Sequence, residues 1–218
     1  MTRSSLQTPV LALVLNVDDT TGLDQVRSQA SAAVRGGVNL LQIRAKNTSD
    51  QTQRNFSEAI TRSIGSSAKV VLNGNPEIAV ETKLHGVHLP EEGKNIDRIR
   101  QLVDGSMLIG RSVHSVGSAV QAEDDGADYI FFGTVFDSES HPGGKTSGVE
   151  TVRTVCEQVS IPVIAIGGIT STNSRSVMNT GASGVAVIGA IINQGDVYRA
   201  ARTMAQCIRG GQSYSRSI

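Results

Sequence analysis

The sequence predicts a single-domain α/β chain, a (β/α)8 TIM barrel. Three observations predict it. Eight short apolar runs alternate with stretches of helical periodicity along 218 residues. Residues 161–191, IPVIAIGGITSTNSRSVMNTGASGVAVIGAI, read as strand, helix and strand, a parallel βαβ unit. Glycine supplies 23 of the 218 residues, above the ordinary ~7%, as many strand-to-helix turns require. A doubly wound open sheet is the alternative, but no Gly-x-Gly-x-x-Gly motif follows the first strand.

The elements follow in order. Residues 10–15 form the first strand, an apolar run too short to cross a membrane. A secretory signal competes for this run, because a basic residue precedes it. Asn16-Val17-Asp18-Asp19 follows, however, where a cleavable signal wants small residues. Residues 23–35 read as helix, 38–44 as strand and 50–64 as helix. Residues 69–73 are a short strand before a short helix at 77–82. The fourth strand is 86–89, with helix at 96–103, and the fifth is 107–112, with helix at 115–125. Strand 128–132 leads into a long loop, 133–148, and the helix 149–159. The βαβ unit comes next, and helix 197–208 closes the chain. Residues 1–8 and 210–218 read as loose tails around a domain spanning 9–209. No linker or second domain interrupts it.

Composition excludes some partners. Twenty basic and twenty acidic residues balance to zero, and Trp is absent. No nucleic acid or anionic membrane surface is therefore expected as a partner. Cys156 and Cys207 stand outside any metal-ligand spacing, and Cys156 shares a helical face with Val152, Val155 and Val159. Thiols used as core residues suit a reducing compartment, so a cytoplasmic location is expected.

In a barrel of this kind chemistry sits at the carboxyl ends of the strands. Period-two alternation sends Gln42, Arg44 and Lys46 to one face. Three polar groups there suit an anion, or else form a salt-bridged rim. Asn73, before Gly74, holds a polar ligand or caps the next turn. His88, with His85 at the start of its strand, reads as structural. Ser112 and His114 lie two apart at the end of the fifth strand, whereas Ser115 suits a helix cap. The long loop carries Thr134, His141 and Lys145 between glycines, the composition of a lid or of a polar surface loop. Gly167-Gly168 and Ile188-Gly189 end the last two strands, where backbone N–H groups can approach a phosphate. The alternative is that these glycines only make tight turns.

Gln42-Ile43-Arg44-Ala45-Lys46, Gly86-Val87-His88-Leu89, residues 128–136 (DYIFFGTVF), Ala165-Ile166-Gly167-Gly168-Ile169 and Val185-Ala186-Val187 together resemble the thiamine phosphate synthase/TenI superfamily over most of the chain. The resemblance implies a barrel that binds a thiazole phosphate, with Gly167, Gly168, Ile188 and Gly189 at the phosphate. In the synthase branch it implies Mg²⁺ on two Asp residues, one in an Asn-Asp-Arg motif and one after His-Leu. Asn73-Gly74-Asn75 and Pro90-Glu91-Glu92-Gly93 stand at those places here. The expectation is therefore the TenI branch: a thiazole tautomerase, an isomerase needing no metal or other cofactor. That branch carries His after the Phe-Gly of strand six, whereas this chain has Thr134. Thr has no useful pKa for proton transfer, so His114 or His141 is expected as the catalytic group. Gln42, Arg44, Lys46, Asn73, Ser112, Thr134 and Lys145 are the expected substrate-binding set. A synthase that uses Mg²⁺ and a non-catalytic, regulatory binder are the alternatives. A small-molecule ligand and a homo-oligomer are the expected partners.

Overall fold

The computed structural model describes residues 5–92, 95–103, 105–137 and 145–210. Eight parallel strands close into one barrel in chain order. They are β1 (Val10–Asn16), β2 (Leu40–Arg44), β3 (Lys69–Asn73), β4 (Gly86–Leu89), β5 (Leu108–Val113), β6 (Tyr129–Phe132), β7 (Val163–Ile166) and β8 (Gly184–Val187). Strand β1 pairs with both β2 and β8, which closes the ring. The helices are α1 (Leu23–Gly36), α2 (Asp50–Ile64), α3 (Pro76–Glu81), α4 (Ile96–Leu102), α5 (Val116–Asp124), α6 (Gly148–Gln158), α7 (Ser174–Met178), α8 (Gly189–Ile192) and α9 (Val197–Arg209). The predicted fold class is the observed one.

Alternation along each strand builds two cores. Val10, Ala12 and Val14 of β1 point into the lumen with Leu40, Val71, Leu108, Tyr129, Phe131, Ile164 and Ala186. Leu11, Leu13, Leu41, Ile43 and their equivalents point outward, into the layer beneath the helices. The strands are therefore buried on both faces and read as continuous apolar runs. The lumen is packed unevenly. A Cβ on Gly110 would stand 2.1 Å from Tyr129 Cζ, so the phenol ring fills the space that β5 leaves.

The helices bury stripes at helical spacing. On α2, Ser49 Oγ accepts from Thr52 N, and Gln53, Phe56, Ser57, Ile60 and Ile64 face inward. Val152 and Val155 of α6 are fully buried, and Cys156 is half-buried against the same core. Helix α9 buries Ala201, Met204, Ala205 and Ile208. It crosses α1 so closely that a Cβ on Gly36 would fall 2.6 Å from Ala201 Cβ.

Polar bonds stitch the amino-terminal rim. Asp128 accepts from Ile109 N and from Arg100 Nη2, each at 2.7 Å. Leu6 packs against the lumen cluster from below. Asn39 donates to the carbonyls of Gln7 and Pro9 and accepts from Leu11 N. Sequence periodicity does not show α8, because a helix of four residues contains barely one turn.

Candidate active site

At the carboxyl end, buried polar groups sit on the apolar floor. His88, between Gly86 on one side and the barrel mouth on the other, is 1% exposed and faces the lumen. Its Nδ1 lies 3.1 Å from Tyr129 Oη, and its Nε2 lies 2.9 Å from Ser112 Oγ. Burial pulls the His88 pKa down to about 3 and pushes that of Tyr129 up, so both groups are neutral. Proton polarity then follows from the partners. The buried phenol has His88 as its acceptor among the described residues, so Tyr129 O–H donates to Nδ1. The proton is left on Nε2, which donates to Ser112 Oγ. The Ser112 proton is thereby free to donate towards the mouth. His85, lower on the strand, has its pKa lowered by burial and by Lys69, and its Nδ1 accepts from Val70 N.

Above this floor, three adjacent strands present a row. Register aligns Asn16, Arg44 and Asn73, and Arg44 Nη1 donates to Asn16 Oδ1 at 3.1 Å. Gln42 lies one layer deeper and is 3% exposed. Its Oε1 is buried without a hydrogen-bond partner, an acceptor suited to a ligand N–H. Lys46 lies past the end of β2 in a turn and is exposed. It lines a cavity of about 650 Å³ together with Asn73, Gly74, Asn75 and Gln53. Asp19 ties the first loop to this region. Its carboxylate accepts from Thr52 Oγ1, Ser49 Oγ and Ser49 N, which holds its pKa below the usual value.

Opposite the cavity lie the expected phosphate glycines. In a closed ring of eight strands in chain order, β7 stands across the mouth from β3. Ile166 registers with Ala186, so the chain leaves β7 and β8 at one height, at Gly167-Gly168 and Ile188-Gly189. Gly167 and Gly168 have φ of 104° and 62°, in the left-handed region that favours glycine. Added side chains would also collide. A Cβ on Gly167 would lie 2.5 Å from Thr134 Cγ2, and one on Gly168 would lie 2.3 Å from the Asp137 carbonyl. Packing and turn geometry thus account for both glycines whether or not an anion binds. Thr134 faces this turn, and its carbonyl accepts from Ser147 N and Oγ.

Of the candidate proton-transfer histidines, His114 stands apart from the lumen. His114 has 61% of its side chain exposed at the β5–β6 rim. Its Nδ1 donates to the Gly133 carbonyl, and its Nε2 lies 3.9 Å from Glu91 Oε2. Ser115 is the cap of α5 in a reciprocal arrangement with Ser118. His141 lies outside the described residues, and Lys145 is exposed beside that stretch. The structure therefore places Arg44 in one row with Asn16 and Asn73, Gln42 beneath it, Lys46 at the adjoining cavity and Ser112 against His88. Sequence reasoning missed His88 as the partner of Ser112, although its alternation with Gly86 places it on the lumen face. It also missed Gln53, whose signal is a polar residue inside the apolar stripe of α2.

The resemblance also implies a divalent cation on carboxylates. Position 74 offers no side chain. Among the described residues no three His, Cys, Asp or Glu side chains converge on one point. Magnesium favours carboxylates in near-octahedral geometry, and the described carboxylates at this end are scattered, among them the exposed Glu77 in the cavity lining and Glu91, whose Oε1 accepts from His114 N. They do not fit a resident ion.

Comparison with known proteins gives the family. A family model described as thiamine monophosphate synthase matches residues 11–191. A thiamine-phosphate synthase of Chlorobium luteolum is 36% identical over 205 residues, covering 92% of this chain and 93% of that protein. One of Methanoculleus marisnigri is 32% identical over 207 residues, covering 94% and 98%. Among solved structures, a thiamine phosphate pyrophosphorylase from Pyrococcus furiosus superposes with a TM-score of 0.82 at 28% identity, covering 93% of this chain and 96% of that one. These relatives overturn the expected TenI tautomerase, and with it the isomerase activity for which His114 or His141 was expected to move the proton. They favour the synthase alternative. Among the described residues no helix is long and apolar enough to cross a membrane.

Proposed function

The chain belongs to the thiamine monophosphate synthase family, and we propose that it is a thiamine-phosphate synthase, a transferase that joins hydroxymethylpyrimidine diphosphate to a thiazole phosphate. The observation that carries this reading is the layout of the mouth. A cavity at β2–β4 lined by Lys46 and amides faces a glycine turn at β7–β8, and the mouth also carries an orphan acceptor and a committed donor. Two substrates with anionic tails fit such a layout, each tail at its own side and the reacting rings over the centre.

In this assignment Arg44 and Lys46 meet the diphosphate. The N–H groups of Gly167 and Gly168 have no backbone acceptor among the described residues and are available to the thiazole phosphate. Gln42 Oε1 and the Ser112 hydroxyl orient the pyrimidine, and Asn73 adds an amide beside the diphosphate. A bond forms between the thiazole nitrogen and the pyrimidine methylene carbon as the bond from that carbon to the diphosphate oxygen breaks. The electron pair leaves with the diphosphate, so no redox partner is needed.

The test is direct. Purified protein given both substrates with Mg²⁺ should form thiamine phosphate, measured by chromatography. Absence of product from correctly folded protein would overturn the reading.

A further inference from the structure

Gln53 and Gly74 share one volume. Gln53 is 6% exposed and is bonded at both ends of its amide. Its Oε1 accepts from Asn75 N at 2.8 Å, and its Nε2 donates to the Thr48 carbonyl at 3.4 Å. It thereby ties the loop after β2 to the loop after β3. A Cβ on Gly74 would stand 2.4 Å from Gln53 Oε1 and 3.1 Å from its Cδ. A buried amide bonded on both sides cannot swing clear without losing those bonds. Position 74 is therefore closed to any side chain while Gln53 is present.

The cavity beside this pair has a distinct donor set. Lys46 has no acid partner among the described residues. Asn47, Asn73 and Asn75 add amides, and the one carboxylate in the lining, Glu77, is exposed. A carboxylate close to a bound diphosphate needs a bridging cation to offset like-charge repulsion. An amide in that place needs none.

We infer that Gln53 takes the place of a side chain at position 74 and lets the β2–β4 side of the mouth hold the diphosphate with Arg44, Lys46 and neutral amides, without a protein-bound divalent cation. The identity of the anion rests on the synthase reading. A divalent ion reaches this subsite only as the counter-ion of the diphosphate itself.

Two probes test this on the wild-type protein. Manganese added to the free protein, followed by its paramagnetic resonance signal, should show no stoichiometric site. Inorganic pyrophosphate should bind in calorimetry with EDTA present, and Lys46→Met should weaken that binding about tenfold or more. Gln53→Ser/Gly74→Asp exchanges the amide for a carboxylate in a similar volume. It should weaken metal-free pyrophosphate binding about tenfold, with Mg²⁺ restoring it. Gly74→Asp alone should melt roughly 3–10 °C below wild type, and the double variant should recover most of that loss. One tight manganese site per wild-type chain, or pyrophosphate binding that vanishes in EDTA, would overturn the inference. So would a double variant that melts no higher than Gly74→Asp. Metal-free pyrophosphate binding without thiamine phosphate formation would instead condemn the proposed reaction and leave the subsite standing.

Discussion

Lowering the pH from 7.5 to 5.5 should cost this barrel about 1.4 kcal/mol through His88 alone. Burial holds the folded-state pKa near about 3, whereas the ring titrates near ~6.5 in the unfolded chain. The sign comes from counting protons. Below about 6.5 the unfolded chain binds a proton that the folded barrel refuses, so stability falls with pH. The loss levels off only as pH nears about 3, where the folded ring also protonates. At pH 5.5 the unfolded ring is protonated about ten to one, and RT ln 11 is about 1.4 kcal/mol; at pH 7.5 the same quantity is below ~0.1 kcal/mol. For a chain of this size that corresponds to roughly 3–6 °C in Tm. His85 is shifted in the same direction and adds to the wild-type slope. The proper contrast is therefore His88→Gln, whose amide can still accept from Tyr129 and donate to Ser112 but cannot titrate. Calorimetric melts at both pH values should show wild type losing roughly 3–6 °C more than the variant. Equal losses would refute a buried, neutral His88.

Other outcomes are open to measurement. Ser112→Ala removes the one hydroxyl whose proton the His88 relay frees, and it should lower kcat/KM for thiamine phosphate formation by about 10–100-fold with Tm nearly unchanged. Gly168→Ala places a Cβ 2.3 Å from the Asp137 carbonyl at a φ of 62°, and it should cost about 1–3 kcal/mol in chemical denaturation. Asp128→Ala strips partners from Arg100 and Ile109 N at the far rim. It should cost about 2–3 kcal/mol of stability while leaving KM for both substrates unchanged.

The barrel was legible because its strands are apolar on both faces and its turns are rich in glycine. The shared inward face of Gln42 and Arg44 was legible for a related reason: period-two alternation along β2 sends both to one side. Lys46 escaped strict alternation, since β2 ends at Arg44 and the turn beyond it resets the direction of the chain. His88 was undervalued because its two partners, Ser112 and Tyr129, are 24 and 41 residues away in sequence. Gly74 drew attention as a missing carboxylate, which pulled the functional reading towards an isomerase. Its cause lies in Gln53, a contact across two loops that no local pattern carries. The glycines at 167 and 168 are ambiguous in sequence because one backbone turn satisfies both packing and anion binding.

Gly110 contributes no functional atom, yet the orientation of Ser112 descends from it. Its missing side chain admits the Tyr129 ring, the ring carries the hydroxyl beneath His88, and His88 sets the serine proton. The two positions are consequently sterically interdependent. Drift at residue 110 towards even alanine would evict the phenol before any change at 129 could accommodate it, and a smaller residue at 129 would leave a void under the site. An exchange at either position is therefore tolerated only together with one at the other, and the Ser112 donor depends on that pair through His88.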